Sequence, residues 1–202
     1  MTPSNNNLLI LNILTNSLES RLYGAASILE FASNLSGLKS IPNMTLLNAT
    51  LEPLHGIPSG SDLQKRNIAQ EILFHHHDIA GISFILPNGD TYFMEPYSLQ
   101  SNQTKNNLAY RDYYKGATAS NDTYLGDIIT STSSGLKRAI IAVPVFSDNG
   151  NGVFLTGVLV GSVDLGLFNK ELQSFNLSQG QRIVYVDAND TKIADSDEIF
   201  CR

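Results

Sequence analysis

Residues 79–94 read Ile79-Ala80-Gly81-Ile82-Ser83-Phe84-Ile85-Leu86-Pro87-Asn88-Gly89-Asp90-Thr91-Tyr92-Phe93-Met94. From Ile79 to Leu86 the chain is apolar and rich in strand-forming side chains, with a period of two. Pro87 donates no ladder hydrogen bond, and Asn88-Gly89 supplies the backbone freedom of a tight turn. Thr91 to Met94 is then the returning strand, so the segment predicts an antiparallel hairpin.

Downstream of it the same reading continues. Leu108 to Ala117 is a short helical segment dense in aromatic and charged residues. Tyr124 to Thr130 is a strand, Ser131 to Gly135 a turn, and Leu136 to Phe146 another strand. Asp148-Asn149-Gly150-Asn151-Gly152 makes a hairpin loop, and Val153 to Leu165 a long apolar strand. A helix from Leu167 to Phe175 follows. A last hairpin pairs Arg182 to Val186 with Thr191 to Ala194 across Asp187-Ala188-Asn189-Asp190.

Upstream the period is helical. Leu8, Leu11, Leu14, Leu18, Leu22, Ala25, Leu29 and Ala32 recur at spacings of three and four, with Asn12, Asn16, Ser20, Ser27 and Glu30 opposite. One helix from Asn5 to Ser33 would be a rod of about 45 Å, longer than a small domain is wide; two helices broken at Gly24 are the alternative. Asn34 to Gly60 is punctuated by prolines and glycines, with a short helix over Leu46 to Leu51. Ser61 or Asp62 then caps a helix from Leu63 to His76, with Ile68, Ile72 and Leu73 inward.

Short turns between strands require an antiparallel sheet, and the helices must cover its faces. The expected fold is α+β: a long helix on a five-stranded antiparallel sheet complete by Leu165, followed by the start of a second, incomplete module. The corresponding divisions are 1–35 for the helix, 36–166 for the sheet domain and 167–202 for the connecting helix and second module.

Composition narrows the function classes. Lys and Arg number 13 against 19 Asp and Glu, a net charge of -6, which argues against a surface built to neutralise phosphates. The charged fraction is 16%, while Asn, Ser and Thr abound, a balance commoner in secreted proteins. Asn34, Asn43, Asn48, Asn102, Asn121, Asn176 and Asn189 head Asn-X-Ser/Thr triplets, glycan acceptors if exported and chance products of the composition otherwise. The lone Cys201 forms no internal disulfide. No apolar run spans a bilayer and no signal peptide precedes Asn5, as in a fragment from between two membrane helices or in a plain soluble protein.

Four segments resemble the Cache superfamily in its double-Cache, PAS-like form. They are Ile82 to Asp90 (first strand and turn); Tyr110-Arg111-Asp112-Tyr113-Tyr114-Lys115-Gly116-Ala117, similar to the family's Arg-x-(Trp/Tyr)-(Tyr/Phe) helix; Tyr124 to Ile129 leading to Ile140 to Val145; and Gly157 to Leu165. Val184 to Asp190 resembles the opening of the membrane-proximal module. The resemblance implies an extracellular or periplasmic small-molecule sensor in a membrane-anchored histidine kinase or chemoreceptor. It also implies a homodimer along the first helix and no catalysis in the module.

A guanidinium fits a carboxylate through two parallel hydrogen bonds, which makes Arg111 the first candidate. Tyr113 and Tyr114, with Tyr110 beside them, offer flat walls and hydroxyls. Asp164, ending a buried strand, is an acceptor for an ammonium group, and Asp127 a second. Together they would hold an amino acid, an amine or a carboxylate. One amino-acid-binding subgroup of the family has a similar Arg, two aromatics and a distal Asp. It also has a Tyr where this chain has Asn106, and Trp where this chain has Tyr113. The structural alternatives are an Arg111–Asp112 surface ion pair, core tyrosines, and Asp164 as a helix cap.

His75-His76-His77-Asp78 is not a metal site on spacing, because consecutive residues do not share a helix face; these residues read as a helix end. There is no Gly-x-Ser-x-Gly elbow, Cys–His pair or phosphate loop, and no cofactor is expected. The rival to a sensor is a surface-adhesion domain using the same sheet without a pocket.

Overall fold

The computed structural model describes residues 5–130, 136–175, 177, 180–187 and 189–197. The turn at 131–135, Asn176, Ala188 and Cys201 lie outside the described residues. The first helix, α1 (Asn5–Ser33), is continuous through Gly24. It is followed by α2 (Ser36–Lys39), α3 (Met44–Leu54) and α4 (Leu63–His75). The side chain of Asn43 caps α3 by accepting from Leu46 N, and that of Asp62 caps α4 by accepting from Lys65 N.

The hairpin is β1 (Ile79–Ile85) and β2 (Thr91–Glu95), paired Ile82 to Glu95 and Phe84 to Phe93. After it come α5 (Tyr97–Ser101) and α6 (Asp112–Ser120). The expected strand over 124–130 is broken into β3 (Tyr124–Leu125) and β4 (Ile129–Thr130), both against β5 (Lys137–Asp148). The Asp112 carboxylate accepts the Asp127 N–H at 2.6 Å, which holds the chain out of the ladder between them. β6 (Val153–Asp164) completes a sheet of order β2-β1-β6-β5-β3. The architecture is the expected one, with six strands because the third is split.

Strand periodicity divides the core. On β5, Ile141, Val143 and Val145 join Phe84, Leu159 and Val163 beneath Leu29 and Ala32 of α1 and Ile72 of α4. Ile140 and Ala142 point the other way, with Val158 and Val160, onto Tyr113, Tyr114 and Ala117 of α6. Successive residues thus feed two cores. The α1 stripe departs from its periodicity at Leu8, which is exposed. On α4 the expected Ile68, Ile72 and Leu73 do pack on the core, and Lys65 and Arg66, which periodicity did not mark, are fully buried beside them.

Beyond the sheet, α7 (Gly166–Ser174) leads to the separate hairpin β7 (Val184–Val186) and β8 (Lys192–Asp195). Phe168, Leu172 and Ala194 enclose Leu14 of α1 in a third cluster. The rod therefore touches both sheets.

Candidate functional site

The sheet face opposite α1 is only partly covered by α5 and α6. Between them lies a cavity of about 180 Å³, lined by the middle of β1, by β4 to β6, and by the segment from Leu99 to Tyr113. Its floor is apolar, with Met94, Ile140 and Val160; its polar groups come from Ser83, Gln103, Arg111, Thr130, Arg138 and Ser162.

Arg111 enters from the N-terminal end of α6. Its backbone is extended (φ -68°, ψ 142°) because it stands just before the first helical residue. Its guanidinium lies 5.0 Å from the Tyr110 ring, and its buried Nε has no hydrogen-bond partner among the described residues. Asp112 does not neutralise it, since that carboxylate accepts from the Asp127 N–H.

Tyr113 is buried and lines the cavity. Burial pushes its hydroxyl up to about 12, with the Arg111 charge opposing the shift. Tyr114 is not part of the lining. Its hydroxyl donates to the carbonyls of Leu86 and Pro87, at 3.2 and 2.8 Å, tying α6 to the β1–β2 turn. Burial raises its pKa as well. Tyr110 is half-exposed, outside the cavity, and stacks under Arg111 and Lys105.

The two candidate ammonium partners also lie off the cavity lining. Asp164 Oδ1 accepts the Gly166 N–H at 2.7 Å, and Oδ2 lies 2.8 Å from Arg138 Nη1. Asp127 Oδ1 accepts from the Asn189 side chain at 3.1 Å. The structure thus brings Arg111 and Tyr113 together and places Tyr110, Tyr114, Asp127 and Asp164 around them in other contacts.

Sequence reasoning passed over Arg138 and Gln103. Counting back from the Asp148–Val153 pair would set Val163 opposite Arg138. A bulge between Val145 and Phe146 moves the register by one, so that Asp164 faces it. Gln103 follows α5, a helix without a sequence signal. Its amide donates to the Thr91 hydroxyl at 3.0 Å, and its buried Oε1 has no partner among the described residues. His75, at the end of α4, pairs with Glu71 at 3.5 Å on the surface.

A family model described as Cache domain matches residues 4–200. The chain belongs to the Cache domain family. Cache domains are ligand-binding sensor modules. The fold is shared with the sensor domain of the V. cholerae histidine kinase DctB, at 18% identity over 97% of this chain and 67% of that one, TM-score 0.66. The Pseudomonas fluorescens chemoreceptor CtaA ligand-binding domain, in complex with L-isoleucine, is similar at 15% identity over 96% and 69%, TM-score 0.62. That of the Pseudomonas aeruginosa PAO1 amino acid chemoreceptor PctC, in complex with GABA, is similar at 17% identity over 96% and 77%, TM-score 0.62. No curated protein sequence matches this Cache domain significantly.

Proposed function

We propose that this Cache domain is the extracellular or periplasmic small-molecule sensor of a transmembrane receptor, a histidine kinase or chemoreceptor, and that its cavity takes a small carboxylate on Arg111. The observation that carries this is the Arg111 guanidinium, aimed into a small, largely apolar cavity with its Nε unpartnered. Arg111 is partly buried and its Nε has no partner among the described residues, so an anionic ligand would supply the acceptor that this donor lacks. Of the three ligand classes expected from the sequence, the carboxylate is the best supported. An ammonium group would find only neutral acceptors there, such as Gln103 Oε1, since no Asp or Glu stands in the lining among the described residues. L-isoleucine and GABA, held by two of the relatives, both carry a carboxylate.

The chain itself performs no catalysis on this reading and passes its ligand state through α1, which packs on the sheet and on α7. No described helix is long and apolar enough to cross a membrane. Leu9, Ile13, Tyr23 and Phe31 leave apolar surface along α1, on which a homodimer of the parent receptor would form. We propose the divisions 1–35, 36–166 and 167–202, the last supported by the β7–β8 hairpin forming a sheet of its own.

Thermal-shift titration with monocarboxylates, dicarboxylates, amines and amino acids tests the reading, because a ligand of the folded state raises Tm by mass action. Carboxylate-bearing compounds stabilise the protein, and Arg111→Ala abolishes the shift. A shift from amines alone, or one that survives Arg111→Ala, discards it.

A further inference from the structure

We infer that Arg138 is the second anchor of this cavity and that the ligand is a dicarboxylate, held at one end by Arg111 and at the other by Arg138. The inference rests on the carboxylate reading of Arg111 and extends it to the opposite wall.

Arg138 stands at the start of β5, opposite Asp164 of β6 and beside Ile129 of β4. Its side chain is 11% exposed and belongs to the cavity lining. Its one partner among the described residues is Asp164, and that contact is incomplete. Nη1 lies 2.8 Å from Oδ2, yet Nη1 is buried without an aligned hydrogen bond. A guanidinium carries five N–H donors on two usable edges. One carboxylate oxygen at Nη1 leaves the rest of the fork for another acceptor.

The charges of the lining favour the same ligand. Arg111 and Arg138 are both cations, and the other polar groups, from Ser83, Gln103, Thr130 and Ser162, are neutral. An α-amino acid would set its ammonium group among these cations. A dicarboxylate places an anion on each and leaves its methylenes to Met94, Ile140 and Val160. Asp164 keeps part of Arg138 satisfied while the cavity is empty, and its other oxygen remains on Gly166 N–H.

The test is calorimetric titration of the whole chain with malonate, succinate and glutarate, beside acetate, butyrate and alanine. One of the diacids binds at least about tenfold more tightly than the monoacids, the increment of a second charge-assisted contact. Arg138→Gln lowers diacid affinity by more than monoacid affinity and so collapses the diacid-to-monoacid ratio toward one, because a monoacid needs only Arg111. Asp164→Asn still caps Gly166 but frees the guanidinium, so diacid affinity rises while Arg138→Gln lowers it; a purely structural role would not give opposite signs. Asp164→Asn also serves as the test if Arg138→Gln fails to fold. If monoacids bind through Arg111 and diacids bind no better, the Arg138 assignment fails and the carboxylate reading survives. If no acid binds, both fail.

Discussion

The backbone N–H of Asp164 donates to the carbonyl of Asp78 at 2.8 Å, and each of these aspartates reaches a different arginine. Asp164 faces Arg138 of the cavity at 2.8 Å. Asp78 takes Arg21 of α1 at 2.5 Å, and Arg21 also reaches Glu171 of α7 at 3.3 Å. The cavity, the end of β6, the long helix and α7 therefore share one junction of polar contacts. A ligand that repositions Arg138 acts directly on the strand end at which α7 begins. A two-state element biased at both ends is what coupling requires.

Arg21→Met tests that junction. The substitution keeps the aliphatic stem and removes the charge. Because Arg21 and its partners are partly solvated, the stability loss is modest, about 1 kcal/mol or less. Amide exchange nevertheless speeds up across α7 and the N-terminal half of α1, while α6 beside the cavity is unchanged. Uniform acceleration throughout the chain would mean that the ion pairs serve global stability and not the joint.

Glu95→Ala strands a fully buried cation. Arg66 is fully buried and hydrogen-bonds Glu95 Oε1, the carbonyls of Ile57 at 2.9 Å and Met94 at 3.2 Å, and Gln100 Oε1 at 3.2 Å. Removing the carboxylate alone costs about 3–5 kcal/mol, whereas replacing both charges together with Arg66→Met and Glu95→Leu costs far less. Urea unfolding measures both variants. A loss under about 1 kcal/mol for Glu95→Ala would show that water reaches the guanidinium.

Much of this architecture was legible because strand and helix periods are local. The β1–β2 turn, the α1 stripe and the long β5–β6 hairpin each announce themselves in their own residues. Lys65 and Arg66 did not, because a charged pair at a helix start reads as solvated. They are buried by α2 and β2, whose approach depends on contacts 25 to 29 residues away. The site was legible on the α6 side, where Arg111 and Tyr113 lie in one short motif. Its other wall was hidden behind a single bulge, which exchanges Val163 for Asp164 opposite Arg138. Tyr114 matched the motif but was claimed by two carbonyls of the turn, a contact set by helix docking.

Gly161→Ala loosens the long helix from the sheet. A Cβ at this position in β6 would lie 2.5 Å from Leu29 Cδ1. Leu29 is fully buried in α1 and has no free volume into which to turn, so overpacking costs about 1–3 kcal/mol. Leu29→Ala alone costs about 2–5 kcal/mol as a cavity. The double variant is more stable than the sum of the two losses predicts, because each change relieves the other. Strict additivity in thermal or urea unfolding would place Leu29 away from Gly161.

The β7–β8 hairpin is the acid-sensitive part of the molecule. Asp195 is fully buried, and its carboxylate takes Arg182 Nε at 2.9 Å together with Arg182 Nη2, the Asp197 N–H and Lys192. The Arg182 hydrogen bonds hold its carboxyl well below the ordinary value of 3.8, against the opposing effect of burial. A depressed native pKa means that the unfolded chain binds the proton first. The stabilisation is therefore complete above the ordinary carboxylate range and is lost as pH falls through it toward the native value. Asp195→Asn is accordingly less stable by about 2 kcal/mol at neutral pH, the scale of a charge-assisted hydrogen bond. Below about pH 4 that gap narrows steadily as the unfolded wild-type chain takes up its proton at Asp195 ahead of the native state. Unfolding curves of both proteins between pH 7 and pH 2 measure it. A gap that stays constant over the whole interval would mean that Asp195 contributes through shape and not through its charge.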